Sequence, residues 1–143
     1  MKTNGYSIAT AYQQTRVGHA DPAQVIVLLY DGALSRLAHA RQRFQAGDRL
    51  QAELSVTKAQ AIVNHLRNSL NMEEGGEIAA NLHRLYLYIH DLLVACLRDD
   101  RPEPLAEASA LLEDLRGAWA EIAKQCREQT DRNRSLDGVA VRA

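Results

Sequence analysis

Residues 78–97, IAANLHRLYLYIHDLLVACL, give the strongest indication of the fold. Its apolar residues recur at alternating steps of four and three, the period of an α-helix with one face on a core. This pattern predicts a helix over about residues 77–98. The predicted core seam of this helix is Ile78, Leu82, Leu85, Ile89, Leu92 and Cys96.

Proline and glycine mark the ends of three further helices. Asp21–Pro22 is a helix start, with an N-cap residue before a proline at the first helical position. Gly47 suits a left-handed C-terminal cap, and Asp48 after it suits the next N-cap. The segments 71–76 and 99–104 have the composition of turns. The sequence therefore predicts helices over about 22–46 and 48–70, and a last helix that ends near residue 127.

Apolar seams in these helices match the one in the third. The second helix has the weakest seam, through Ala59, Ile62 and Leu66. Short connections force neighbouring helices to be antiparallel. We therefore predict an all-α fold, an antiparallel up-down four-helix bundle over residues 21–128, with an N-terminal segment 1–20 and a mobile C-terminal tail 129–143. The other predicted seams are Ile26, Tyr30, Ala33, Leu37, Ala40 and Phe44 in the first helix, and Leu105, Ala108, Leu112, Leu115, Trp119, Ile122 and Cys126 in the fourth.

Composition narrows the classes of protein. The 143 residues include 22 alanines and 19 leucines but only seven aromatic residues, as expected for a helical chain. A formal net charge of −1 gives no basic surface for nucleic acid. The chain has no secretory signal and no apolar run long enough for membrane insertion, so we expect a cytoplasmic protein. Cys96 and Cys126 are expected to be core thiols at opposite ends of the bundle, too far apart for a disulfide.

Catalytic and metal-binding motifs are missing from the sequence. No Glu-x-x-His pair of the di-iron bundles occurs, nor any phosphate loop, zincin motif or nucleophile elbow. His83 and His90 share a helix face but have no third ligand there, so we interpret them as solvated residues and not as a metal site. We expect no enzyme activity, no metal and no cofactor.

The sequence has more apolar residues than a four-helix core needs. From Leu85 to Leu97, eleven of thirteen residues are apolar, and all six are apolar from Val25 to Tyr30. Three interpretations remain open. In the first, the first and third helices are central and their neighbours cover the surplus apolar residues. In the second, these residues mediate self-association. In the third, they form a groove for the apolar face of a partner's helix.

The N-terminal segment carries isolated apolar anchors in a polar context, Tyr6, Ile8 and Tyr12. One interpretation is a frayed terminus, which is the common case. Our hypothesis is that the segment covers the exposed groove when no partner protein, which we call the client, is bound there.

Several short motifs follow one another over about 110 residues: Tyr12–Gln14, Asp21–Pro22, Leu29–Gly32, Lys58–Ile62, Gly75–Leu82, Leu85–Tyr88 and Leu115–Trp119. With these motifs the chain resembles the flagellar secretion chaperone FliS family. The resemblance implies an export chaperone that binds the disordered C-terminal region of flagellin, prevents premature polymerisation and aids delivery to the type III export gate protein FlhA. It also implies that the N-terminal segment can cover part of the client site.

The expected mechanism is binding without catalysis, by apolar residues of the first and third helices. The alternative from another class is a self-associating helical bundle with a structural or regulatory role. In solution we expect a monomer or weak homodimer. The predicted client contacts are Val27, Leu28, Tyr30, Leu34, Tyr86, Leu87, Leu93, Val94 and Leu97.

Overall fold

The computed structural model describes the backbone of residues 22–142 and the side chains of residues 22–136. It contains four α-helices, which confirms the predicted all-α class: α1 Pro22–Gln45, α2 Arg49–Asn68, α3 Met72–Asp99 and α4 Glu103–Arg142. α1 packs on α2 and α4, and α3 packs on the same two helices. α1 and α3 therefore occupy opposite corners of the bundle.

The connection between α1 and α2 forms as the sequence predicts. Gly47 has a left-handed φ of 76°, a conformation in which glycine carries no Cβ penalty. Asp48 is the N-cap of α2, and its carboxylate accepts a hydrogen bond of 3.3 Å from the backbone N–H of Gln51. The tight loop holds α1 and α2 as antiparallel neighbours.

α3 begins earlier than the sequence predicted. Asn71 caps a first helical turn by accepting a 3.0 Å hydrogen bond from the backbone N–H of Glu74. Gly76 then interrupts the helix with φ 52° and ψ −127°, a conformation that side-chain-bearing residues rarely adopt. The predicted turn at 71–76 is therefore a capped helical turn and a glycine break.

α4 continues well past residue 127, so the predicted end of this helix is wrong. Every described side chain from Lys124 to Leu136 is exposed, so this part of α4 has no core to pack on. Hydrogen bonds one turn apart accompany it, from the Thr130 hydroxyl to the Cys126 carbonyl at 2.9 Å and from Gln129 to Asn133 at 3.3 Å. The tail predicted over 129–143 is helical as far as Arg142.

The core runs along the bundle axis. At its centre the buried hydroxyls of Tyr30 and Tyr86 hydrogen-bond to each other, joining the diagonally opposite helices α1 and α3. Burying two hydroxyl groups is tolerated because they are hydrogen-bonded. The largest buried side chains are Trp119, Tyr30, Tyr86, Ile26, Leu37, Leu66, Ile89, Leu93, Leu105, Leu112 and Val56.

The two cysteines differ in exposure. Cys96 is buried as predicted, but Cys126 is exposed, which corrects its assignment to the core. Cys126 lies in the stretch of α4, from Lys124 to Leu136, in which every described side chain is exposed. Burial, followed by the charges of Glu103 and Glu53, raises the pKa of the Cys96 thiol to about 11.

We predict that the native protein reacts at one cysteine only. At neutral pH a thiol of raised pKa has almost no thiolate, and its burial also blocks the reagent. Native titration with a thiol reagent should modify Cys126 quickly and Cys96 only after unfolding. Equal reaction of both cysteines in the native protein would contradict the placement of Cys96.

Candidate client-binding surface

The nine predicted client contacts separate by burial. Val27, Tyr30, Tyr86 and Leu93 are at most 4% exposed and belong to the core. Their placement on the surface is therefore corrected, because the folded bundle offers none of these side chains to another chain. Leu34 and Leu97 are partly buried and pack against the core.

Three predicted residues remain outside the core. Leu28 is 59% exposed and Val94 is 36% exposed, whereas Leu87 is half-buried. Leu28 is on α1 and the other two are on α3. Because α1 and α3 are diagonal, these residues lie on separate faces of the bundle and not in one groove.

Three predicted contacts on α3 are not fully buried, and we call them the α3 strip: Leu87, Val94 and Leu97, the last of which borders the core. Leu87 and Val94 are seven residues apart and so share a face of the helix. The neighbouring Tyr88 points towards α4, where its hydroxyl donates a hydrogen bond to the Glu107 carboxylate. Successive residues are about 100° apart around a helix, so the strip faces away from α4.

The hydrogen bond between Tyr88 and Glu107 marks the side of α3 that faces α4. The hydrogen bond from the tyrosine hydroxyl to the Glu107 carboxylate, together with desolvation and the negative charge of Glu107, raises the pKa of Tyr88. On the other side of the bundle, Arg116 Nε donates to Asp31 Oδ1 at 2.5 Å and ties α4 to α1. Polar contacts therefore bridge the interface of α4 with α3 and the interface of α4 with α1.

Two exposed apolar residues on α2 were missed by the sequence reasoning. Leu50 is 65% exposed and Leu54 is 46% exposed. Both fall opposite the buried Ala52, Val56 and Ala59 of the same helix. A signal existed in the sequence, because these leucines lie outside the weak seam predicted for α2.

A cleft of about 440 Å³ opens where the α1–α2 and α3–α4 connections meet. Phe44, Gly47 and Pro102 line it together with Arg49 and Asp100, which form an ion pair. None of the nine predicted client contacts lines this cleft.

The predicted N-terminal anchors Tyr6, Ile8 and Tyr12 lie outside the described residues. Within the described part of the chain, no three or more His, Cys, Asp or Glu side chains group as metal ligands would. None of the described helices is long and apolar enough to cross a membrane.

Fold and surface together define a four-helix-bundle protein with apolar side chains left outside its core. A family model described as "Flagellar protein FliS" matches residues 4–126. The chain therefore belongs to the FliS family.

Curated relatives agree with this assignment. The flagellar secretion chaperone FliS of Salmonella typhimurium is 39% identical over 121 residues, which cover 83% of this chain and 89% of that protein. The flagellar secretion chaperone FliSB of Pseudomonas aeruginosa is 37% identical, with 78% and 92% covered. The FliS of Bacillus subtilis is 31% identical, with 92% and 95% covered.

Proposed function

We propose that this chain is a cytoplasmic export chaperone that binds the disordered C-terminal region of flagellin. Bound in this way, flagellin cannot polymerise prematurely, and the complex is delivered to the export gate protein FlhA. The observation that carries the proposal is the apolar surface outside the core, on a chain whose relatives are named flagellar secretion chaperones.

Binding needs no catalysis and no cofactor. Complete burial of a leucine or valine contributes about 1.5–3 kcal/mol, and the partly exposed side chains of the α3 strip contribute less. A disordered client must also lose conformational entropy as it orders. Several separate apolar contacts are therefore needed for useful affinity.

The position of the contacts shapes the bound client. Leu28 on α1 and the α3 strip lie on different faces, so one rigid helix cannot touch both. A flexible client can, by wrapping around the bundle as separate pieces. This supports a disordered segment of flagellin as the client over a single preformed helix.

Co-purification tests the proposed client. The chain is expressed together with flagellin from the same bacterium, either full-length or lacking its C-terminal region. We expect a complex with the full-length protein and none with the truncated one. A complex that survives the truncation would contradict the proposed client segment.

We further propose that residues 1–18 compete with the client for the apolar surface. Tyr6, Ile8 and Tyr12 could occupy part of the surface, as the family resemblance implies. Deleting residues 1–18 should then strengthen client binding, measured by calorimetry, and promote aggregation of the free chaperone. Unchanged affinity in the deletion variant would contradict the competition.

A further inference from the structure

Two contacts fix which faces of α1 and α2 meet. A Cβ added at Gly32 would lie 3.4 Å from Ile62 Cδ1, and His39 Nδ1 lies 2.6 Å from Ser55 Oγ. From the first contact to the second, the residue number rises from 32 to 39 in α1 and falls from 62 to 55 in α2, so the two helices are antiparallel. We call the outer edge of this contact the α1–α2 seam.

Two cations face each other across the α1–α2 seam. Arg36 lies four residues after Gly32 and three before His39, and Lys58 lies three after Ser55 and four before Ile62. Helical spacing therefore puts both on the seam and at the same height. Both are exposed. Like charges in such a position repel each other, so the pair does not stabilise the bundle.

The carboxylates of α1, α2 and their loop are engaged elsewhere. Asp31 pairs with Arg116 on the α4 side of α1. Asp48 caps α2 and lies 4.0 Å from Arg43. Glu53 lies five residues before Lys58 and is therefore about 140° away from it around α2. Among the residues that the structure describes, no ion pair includes either of the two seam cations.

Exposed leucines flank the two cations. Leu28 lies four residues before Gly32, and Leu54 lies four residues before Lys58, so both sit near the seam on its outer side. Their exposed fractions are 59% and 46%. Leu54 is level with residue 40 of α1, so the leucines are about 18 Å apart along the bundle at 1.5 Å per residue. Along about three helical turns the surface is therefore apolar at Leu28, cationic at Arg36 and Lys58, and apolar again at Leu54.

We propose that the α1–α2 seam binds an acidic amphipathic segment of the client. Its carboxylates would pair with Arg36 and Lys58, and its apolar side chains would cover Leu28 and Leu54. The inference rests on the proposed chaperone function and adds the chemistry of the client segment bound at this face. A guanidinium recognises a carboxylate through two parallel hydrogen bonds. The flanking leucines favour a peptide over a nucleic acid, which binds mainly through phosphates.

Charge reversal at the seam tests the proposal. The double variant Arg36→Glu with Lys58→Glu is compared with wild type in calorimetric titration with the C-terminal region of flagellin. We expect its affinity to fall by about 10-fold or more, since close charge pairs become repulsive. We also expect wild-type affinity to fall more steeply with added sodium chloride than that of the variant.

The matched control is Lys124→Glu with Arg127→Glu, two exposed cations of α4 with the same change in net charge. It should bind like wild type. The single variant Arg36→Glu tests folding, because its new carboxylate faces Lys58 and should leave thermal stability unchanged or slightly higher.

Other results would contradict either the seam proposal or the proposed function. Unchanged affinity of the seam double variant, or an equal loss in the control, would overturn the seam proposal while wild-type binding still supports the chaperone function. Wild type that does not bind flagellin would overturn the proposed function itself. RNA binding by wild type that disappears in the seam variant would assign the cations to phosphates and overturn the peptide proposal.

Discussion

Replacing Leu87 and Val94 together by aspartate is expected to weaken client binding by about 100-fold or more while the bundle stays folded. Both residues lie on the α3 strip outside the core. The change removes two apolar contacts and places two unpaired carboxylates against the apolar side chains of the client, which costs several kcal/mol, so affinity should fall about 100-fold or more. Calorimetry with the C-terminal region of flagellin measures the loss.

The control for this variant is Leu136→Asp, an exposed leucine on the part of α4 beyond the bundle. It should leave client affinity and thermal stability unchanged. If the double variant unfolds, Leu87 belongs to the core and the strip is wrongly assigned. If it folds and binds at wild-type affinity, the client binds elsewhere.

The second large effect is on stability, at a residue next to the strip. Leu93 has no exposed surface, whereas the adjacent Val94 is 36% exposed. Leu93→Ala should lower the free energy of unfolding by about 2–5 kcal/mol, because it removes buried methyl groups and leaves a cavity. Val94→Ala should change it by no more than about 0.5 kcal/mol, as is usual for surface sites.

Urea unfolding of the two alanine variants measures this contrast. Similar losses in both would place Leu93 and Val94 in the same environment and contradict the orientation of α3. Because the two residues are neighbours in sequence, chain position cannot account for a large difference between them, and the helix propensities of leucine and valine differ by less than about 1 kcal/mol.

The four helices and their antiparallel order follow from the sequence because the turn and capping residues indicate the same helices as the spacing of the apolar residues. Gly47 takes the left-handed conformation after the end of α1, and Asp48 is the N-cap of α2. The short loop between the two helices then allows them to pack only as antiparallel neighbours. The apolar period then decides that each helix has a core face. These local signals are sufficient for the fold class.

The exact core face of α3 could not be read from the sequence. Leu85 and Tyr86 are both apolar, as are Leu92 and Leu93, so two periodic seams fit the same residues. The structure buries Tyr86 and Leu93 and leaves Leu85 and Leu92 partly buried. The choice depends on the opposing helices, including the hydroxyl of Tyr30 that meets Tyr86.

The ends of the helices show a different kind of difference. The polar residues after Arg127 indicate that no core lies beside them, but Glu, Gln and Arg still favour helix. Loss of an apolar period was therefore mistaken for the end of α4. At the start of α3, Asn71 is a good N-cap that the two following glycines obscured.

The candidate site is the part that sequence reasoning predicted least well. Apolar surplus was predicted correctly for Leu28 and Val94, which are exposed. It could not show that α1 and α3 are diagonal, since this depends on the packing of all four helices. The cation pair of the α1–α2 seam likewise appears only when the two helices are placed side by side.

We propose that a client, and not a second copy of the chain, covers the apolar surface. Sedimentation velocity of the purified chain, alone and mixed with flagellin, distinguishes these two coverings. We expect the free chain to sediment as a monomer or as a weak dimer that dissociates when flagellin binds. A dimer that persists unchanged with flagellin present would rule out the client as the covering and favour a self-associating bundle.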